Sequence, residues 1–258
     1  MEINMIKLFR NIRKKLIENG KTANYLKYAI GEIILVVIGI LIALSINNWN
    51  EGRKTKQEEL VILKNLLDDL NTAKIQSEVD IRKDSITVHA IISVLKDKTS
   101  FFEKYTGSSA DSIAFELFWN TNPDTPVINS YSDIKSSGKL SVISSKEIKD
   151  RLTLLEISIN NLSFIMNDLI SVHQIRIDEI AVNDLNFERL SGQNLSITTE
   201  FNELEVPYTE VLENKKIRNL LSMKLSLISF VLDYRKKLLK DINSLTLLID
   251  SKFNTNND

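Results

Sequence analysis

The chain of 258 residues has no cysteine, 3 prolines and 7 glycines. Without Cys there is no disulfide staple, no thiolate-ligated zinc and no thiol nucleophile. Gly and Pro together make up about 4% of the chain, where an ordinary globular protein carries roughly 12%. So few turn-formers exclude the many tight connections of a sandwich, barrel or propeller. His89 and His173 are the two histidines, too few for a His-rich metal site. Catalytic motifs are missing as well: there is no GxSxG elbow, HExxH pair or Gly-rich phosphate cradle. Gly20-Lys21-Thr22 matches the end of a P-loop, but Lys15 stands where its first glycine belongs and no strand precedes it. Acidic pairs such as Glu58-Glu59 and Asp68-Asp69 are solvated helix faces by default. The expectation is a protein that is not an enzyme, with no catalytic, cofactor-binding or metal-binding residues.

What is present is apolar and helical. With 43% hydrophobic residues and a net charge of −1, the composition is not that of a disordered chain. Residues 33–44 read IILVVIGILIAL, twelve positions without a polar side chain. Extended from Tyr28 to Trp49, the segment reaches the roughly 20 residues needed to cross ~30 Å of hydrocarbon. Tyr25 and Tyr28 at one end and Trp49 at the other suit the two interfaces, and Glu32 lies close enough to the first to reach headgroups. A transmembrane helix over 28–49 is expected. Its rival is a cleaved signal peptide, because Ala43-Leu44-Ser45 has a small-x-small pattern. The long basic region before it and the helical pattern resuming soon after favour an uncleaved anchor.

Charge sets the orientation. Residues 1–27 hold seven bases and two acids, a net of +5, so the remainder sums to −6. Lys and Arg resist translocation, which puts 1–27 in the cytoplasm and 50–258 outside it. Within 1–19, Met5, Phe9, Ile12 and Leu16 recur at helical spacing, with Asn19-Gly20 as a stop. A basic amphipathic helix there would lie on anionic lipid, each base contributing about 1 kcal/mol; nucleic acid is not an expected partner.

The string YAIGEIILVVIGILIALSINNWNE at 28–51, behind the basic MIKLFRNIRKKL, resembles the signature of a family of bacterial single-pass membrane proteins of unknown function. SYSDIKSSGKLSVISSKEIKDRL at 130–152 is similar, more loosely, to that family's second recurring block. The resemblance implies an inner-membrane anchor with a periplasmic helical domain and carries over no site residues.

Beyond the span, coiled-coil-like seams predict three long helices in an elongated antiparallel bundle, an all-α fold. The first covers about 52–98, the second about 144–184 with Ser144 as N-cap and Glu147 completing a capping box, and the third starts near Pro207. Between the first two, short helices are expected at 113–119 and 131–137, the latter closed by Gly138, with a loop at 122–126. The aromatics Phe101, Phe102, Tyr105, Phe115, Phe118 and Trp119 read as a plug for the distal end, with a ligand pocket as the alternative. Residues 185–206 read as an irregular connection with a small hairpin.

Polar residues that interrupt the seams are the candidate buried positions: Asp84 in the first helix, His173 and Arg176 in the second, Arg235 in the third, with Lys74 and Ser77 as further breaks. At 1.5 Å per residue, Asp84 and Arg235 fall at similar heights and are expected to meet. In the membrane span, Glu32, Gly39 and Ala43 share much of one face, which suits a homodimer through that helix. Two functions follow from different classes. One is a protein-interaction or scaffold module with an unknown envelope partner; the other is a small-molecule sensor signalling through a membrane partner, marked by a polar cavity near His173, Arg176 or the 99–143 aromatics.

Overall fold

The computed structural model describes Lys14 and residues 22–195 and 207–255. Every regular element among them is helical. The chain divides into two compact units, Met1–Leu60 and Val61–Asp258. The expected amphipathic helix over 1–19 with its Asn19-Gly20 stop, and the part of the 185–206 connection beyond 195, lie outside the described residues.

Helix α1, Thr22–Lys96, contributes to both units. Its apolar stretch has a mean hydropathy of 2.8 over its 18-residue window, none of it buried, so it is long and apolar enough to cross a membrane. A separate first bundle helix starting at 52 is not found, because the Asn47-Asn48 and Gly52 positions do not end the helix. Glycine in a helix interior costs only about 1 kcal/mol relative to alanine, which a 75-residue helix absorbs.

The second unit is built on three long helical stretches. They are the 61–96 portion of α1, then α5 (Lys146–Val172), and α9 (Lys215–Thr255). Leu66, Leu70, Ile91, Leu152, Leu155, Leu162, Ile242 and Leu245 are fully buried in one shared core. Ser158 Oγ, midway along α5, donates to Asp241 Oδ2 of α9 across 2.6 Å, and Leu95 O accepts from Arg218 Nη2 at 2.9 Å. With the contact between Asp84 and Arg235, these pairings run α9 antiparallel to α1. Lys224 acts on His173 electrostatically, which makes α9 antiparallel to α5 as well.

Between α1 and α5 lie α2 (Lys98–Phe102), α3 (Ser108–Phe118), an irregular stretch, α4 (Asn129–Ser136) and a 3-10 turn at Lys139–Val142. Helix α3 starts five residues earlier than the 113–119 expectation. Helix α4 begins two residues before its own expected start, where Asp69 Oδ2 accepts from Ser130 N at 2.8 Å. It ends before Gly138, whose φ of 72° is the left-handed conformation glycine tolerates. Tyr131 Oη donates to Glu156 Oε2 at 2.8 Å, and Lys135 Nζ pairs with the same carboxylate. That ties α4 to α5 and holds the Glu156 carboxyl below its usual range.

Three expected boundaries shift. The N-cap of α5 is Ser145, whose hydroxyl accepts from Ile148 N, and not Ser144. Pro207 caps a short helix α8, Tyr208–Val211, and the long α9 starts only at Lys215. After Val172 the helix widens into a π turn at His173–Ile177 before α6 (Asp178–Asn183), followed by α7 (Phe187–Leu195) in the connection expected to be irregular. The aromatics of 99–119 are partly core: Phe101, Phe102 and Phe118 are buried, Phe102 stacks on Tyr208, and Trp119 packs against Phe187 and His173.

Candidate functional site

Helix α3 ends at Phe118, and the chain then runs without regular structure from Asn120 to Ile128. A helix C-terminus leaves carbonyls without intrahelical donors, and an irregular segment against a bundle leaves more. Those carbonyls are met by basic side chains from the long helices. Lys224 Nζ of α9 donates to Leu117 O at 2.9 Å, Asn120 O at 2.8 Å and Glu116 O at 3.4 Å. His173, at the start of the π turn, hydrogen-bonds Trp119 O through Nε2. Arg235, about three turns further along α9, donates from Nη2 to Asn122 O at 2.8 Å and from Nη1 to Asp124 O at 2.7 Å. Three buried basic residues thus hold the 116–124 segment in place.

Arg235 also completes an ion cluster. Its Nε donates to Asp84 Oδ2 at 2.7 Å and its Nη1 to Asp80 Oδ2 at 3.1 Å. The side chains are 1% exposed for Arg235, 0% for Asp80 and 8% for Asp84. Gln76 Nε2 donates to Asp80 Oδ1 at 3.0 Å, while Asn122 Nδ2 reaches Asp80 Oδ1 at 3.3 Å and Asp84 Oδ1 at 3.4 Å. Two carboxylates share one guanidinium. Burial pushes the Asp84 carboxyl above its ordinary range, the Arg235 charge pulls it back, and the neighbouring Asp80 charge adds to the rise. Burial likewise drives Lys224 down to about 7, with the Glu116 charge opposing. Its three carbonyl acceptors, at the negative end of α3, favour the ammonium. His173 is pushed below its usual value by burial and then by the Lys224 charge, against the pull of Trp119 O and Asp178.

Over this segment opens a cleft of about 400 Å3. Its walls are Ala90 of α1, Ile113 and Leu117 of α3, Leu169 of α5, and Ile228 and Val231 of α9. Its polar edge is Asp84, Thr87, Thr121, Asn122 and Asp124, with Lys83 and Glu116 beside them. An apolar pocket of this size with a few convergent polar groups is the form small-molecule sites take.

A second buried charge group lies at the α3–α7–α8 junction. Asp111 Oδ2 accepts from Arg189 Nε at 2.8 Å and Oδ1 from Tyr208 Oη at 2.5 Å. Burial, then the Asp111 hydrogen bond, raises the Tyr208 phenol well above its usual value.

Of the residues singled out from the sequence, Asp84 and Arg235 are in direct contact and His173 is buried at the 116–124 segment. Arg176 is exposed, against its expected place in the core. The π turn adds a residue to the helical period, which rotates Arg176 outward and puts Ile177 inside. Lys74 is half-buried and Ser77 buried. In the first unit Glu32 is half-exposed, Gly39 and Ala43 are exposed, as are Tyr28 and Trp49. Asp80, Asp111, Arg189, Tyr208 and Lys224 were not anticipated. Lys224 carried the signal that revealed Arg235, a base on the apolar seam of α9, and Asp80 sits one turn before Asp84.

The fold and the site define an all-helical protein with, among the described residues, one segment apolar enough for a membrane and a loop-bearing bundle. Residues 32–157 match the model of a family of unknown function (DUF6090). The matched stretch takes in Asp80, Asp84, Asp111 and the 116–124 segment but not His173, Lys224 or Arg235. No curated protein matches the chain. No solved structure matches it either.

Proposed function

We propose that this chain is a single-pass, membrane-anchored binding protein of the bacterial envelope. In this reading residues 1–27 are cytoplasmic, 28–49 cross the inner membrane, and 50–258 form a periplasmic domain that binds a ligand without transforming it. The observation that carries the reading is the exposure of every side chain from Ile33 to Trp49. An apolar surface of that extent is excluded from water and needs lipid or protein around it. The net charge of +5 over 1–27 supports the orientation. Fusion of alkaline phosphatase or green fluorescent protein to the C-terminus tests it. An active phosphatase and a dark fluorophore are expected; the reverse pattern, or a mature chain trimmed near residue 45, would overturn the reading.

The cleft over 116–124 supports a small-molecule receptor that signals through a membrane partner. A scaffold function is the second reading, supported by Leu154, Ile157 and Phe164, exposed along α5. Self-association in the membrane through Glu32, Gly39 and Ala43 fits either one. A Cβ at Gly39 meets nothing within 4 Å in the single chain, so a second helix has room to approach there. Crosslinking that Gly39→Ile leaves unchanged would rule that contact out.

A further inference from the structure

We infer that the cleft receives a small organic cation with an apolar body, a primary or quaternary ammonium compound whose head settles against Asp84. This rests on the ligand-binding reading above and names the chemistry of the ligand.

The argument starts from the cations already present. Arg235 spends Nε on Asp84, Nη1 on Asp80 and Asp124 O, and Nη2 on Asn122 O. Lys224 has three N–H groups and three carbonyl acceptors. Both buried cations are therefore committed to the protein, which leaves little to attract an anion into the cleft.

The acids are in the opposite condition. Asp80 and Asp84 share a single guanidinium, and Glu116 and Asp124 add negative charge at the edge, where Lys83 is the one base among the described lining residues and Lys224 lies in the field of Glu116. On Asp84, Oδ2 is held by Arg235, while Oδ1 accepts from Asn122 Nδ2 at a long 3.4 Å. A carboxylate accepts up to about four hydrogen bonds, so Asp84, one of the residues lining the cleft, has capacity for an ammonium donor. An extra positive charge there would balance the second buried carboxylate, since buried charge is costly unless paired. The upward displacement of the Asp84 pKa by burial agrees with a carboxylate short of counter-charge. The remaining walls, Ala90, Ile113, Ile228 and Val231 among them, suit a hydrocarbon or aromatic body.

The test uses the full chain in lipid nanodiscs at neutral pH. Isothermal titration follows three probes that differ in their head group: phenethylamine (cation), 2-phenylethanol (neutral) and 3-phenylpropionate (anion). Heats from empty nanodiscs are subtracted. Saturable binding of phenethylamine at least tenfold tighter than the other two is expected. Asp84→Asn should weaken it at least tenfold, and Ala90→Trp, which puts a bulky side chain into the cleft from a lining position outside the ion cluster, should abolish it. Equal affinity for the neutral or anionic probe, or undiminished amine binding in Asp84→Asn, overturns the cation assignment. If Ala90→Trp abolishes binding of 3-phenylpropionate while the amine never binds, the ligand class is wrong and the ligand-binding reading stands. If none of the three shows binding sensitive to Ala90→Trp, both fall.

Discussion

Arg235 Nε donates to Asp84 Oδ2 at 2.7 Å, joining α9 to α1 across 151 residues of sequence. The pair is unequal, because Arg235 also serves Asp80 while neither carboxylate is bonded to another buried base among the described residues. Removing the guanidinium strands two acids; removing Asp84 leaves Arg235 with Asp80. Arg235→Met should therefore cost about 3–5 kcal/mol, the range for breaking a buried pair from one side. Asp84→Asn, which keeps an oxygen for Nε to bond, should cost roughly 1 kcal/mol. The double variant should lose less than the sum, read from urea midpoints of the detergent-solubilised protein. Additive losses would mean that the contact contributes nothing to stability.

Lys224 gives the fold a pH dependence on the alkaline side. Its folded pKa is pushed down to about 7 from 10.5, so between those values the unfolded chain holds the extra proton. Stability is then largest toward pH 10.5 and falls as the pH drops toward 7, with a slope on the order of 1 kcal/mol per unit. The usable window closes near pH 10. Above it, Tyr131, pushed up to about 12 by burial and by Glu156, stays protonated in the fold and reverses the sign. Lys224→Met loses the cap on α3 and is less stable throughout, but its urea midpoint should be flat from pH 7.5 to 9.5. A profile parallel to the wild type would show that Lys224 stays charged in the fold.

Tyr208→Phe tests the second charge group. Its hydroxyl donates to Asp111 Oδ1 at 2.5 Å, with Arg189 Nε on the other oxygen. A hydrogen bond to an ionised group contributes about 1.5–3 kcal/mol, and phenylalanine preserves the stacking with Phe102. A loss in that range is expected in the same denaturation assay. A change below about 0.5 kcal/mol, the ordinary scatter of surface substitutions, would make the bond dispensable.

How far the sequence could be read depended on whether periodicity carried the signal. The scarcity of Gly and Pro and the apolar seams were enough for an all-helical chain, and the run from Ile33 to Leu44 marked the segment long and apolar enough for a membrane. Asp84 and Arg235 stood out because they replace apolar residues on a regular seam, and constant rise per residue set them level. The same logic failed for Arg176, because the π turn at His173–Ile177 breaks the period on which it relied. The carbonyl contacts of the 116–124 segment had no sequence signature. Backbone oxygens carry no residue identity, so what Lys224 and His173 bind could be seen only once the segment was placed beside them.

His173 should make the protein sensitive to mild acid. Burial, then the Lys224 charge, lowers its pKa below the usual 6.5, with Trp119 O and Asp178 pulling the other way. Across the interval just below 6.5 the unfolded state takes up a proton that the folded state refuses. The contribution of His173 is thus complete above that value and is lost as the pH falls through it toward the folded pKa. Asp84, whose pKa is raised from 3.8, acts in the opposite sense, so the measurement compares the wild type with a His173 variant between pH 6.5 and 5.5, Asp84 being common to both. His173→Gln keeps an N–H donor for Trp119 O but cannot titrate. The wild type should lose urea stability over that interval and the variant should lose less of it. Equal losses would place the acid sensitivity elsewhere and leave His173 with its hydrogen bond to Trp119 as its whole contribution.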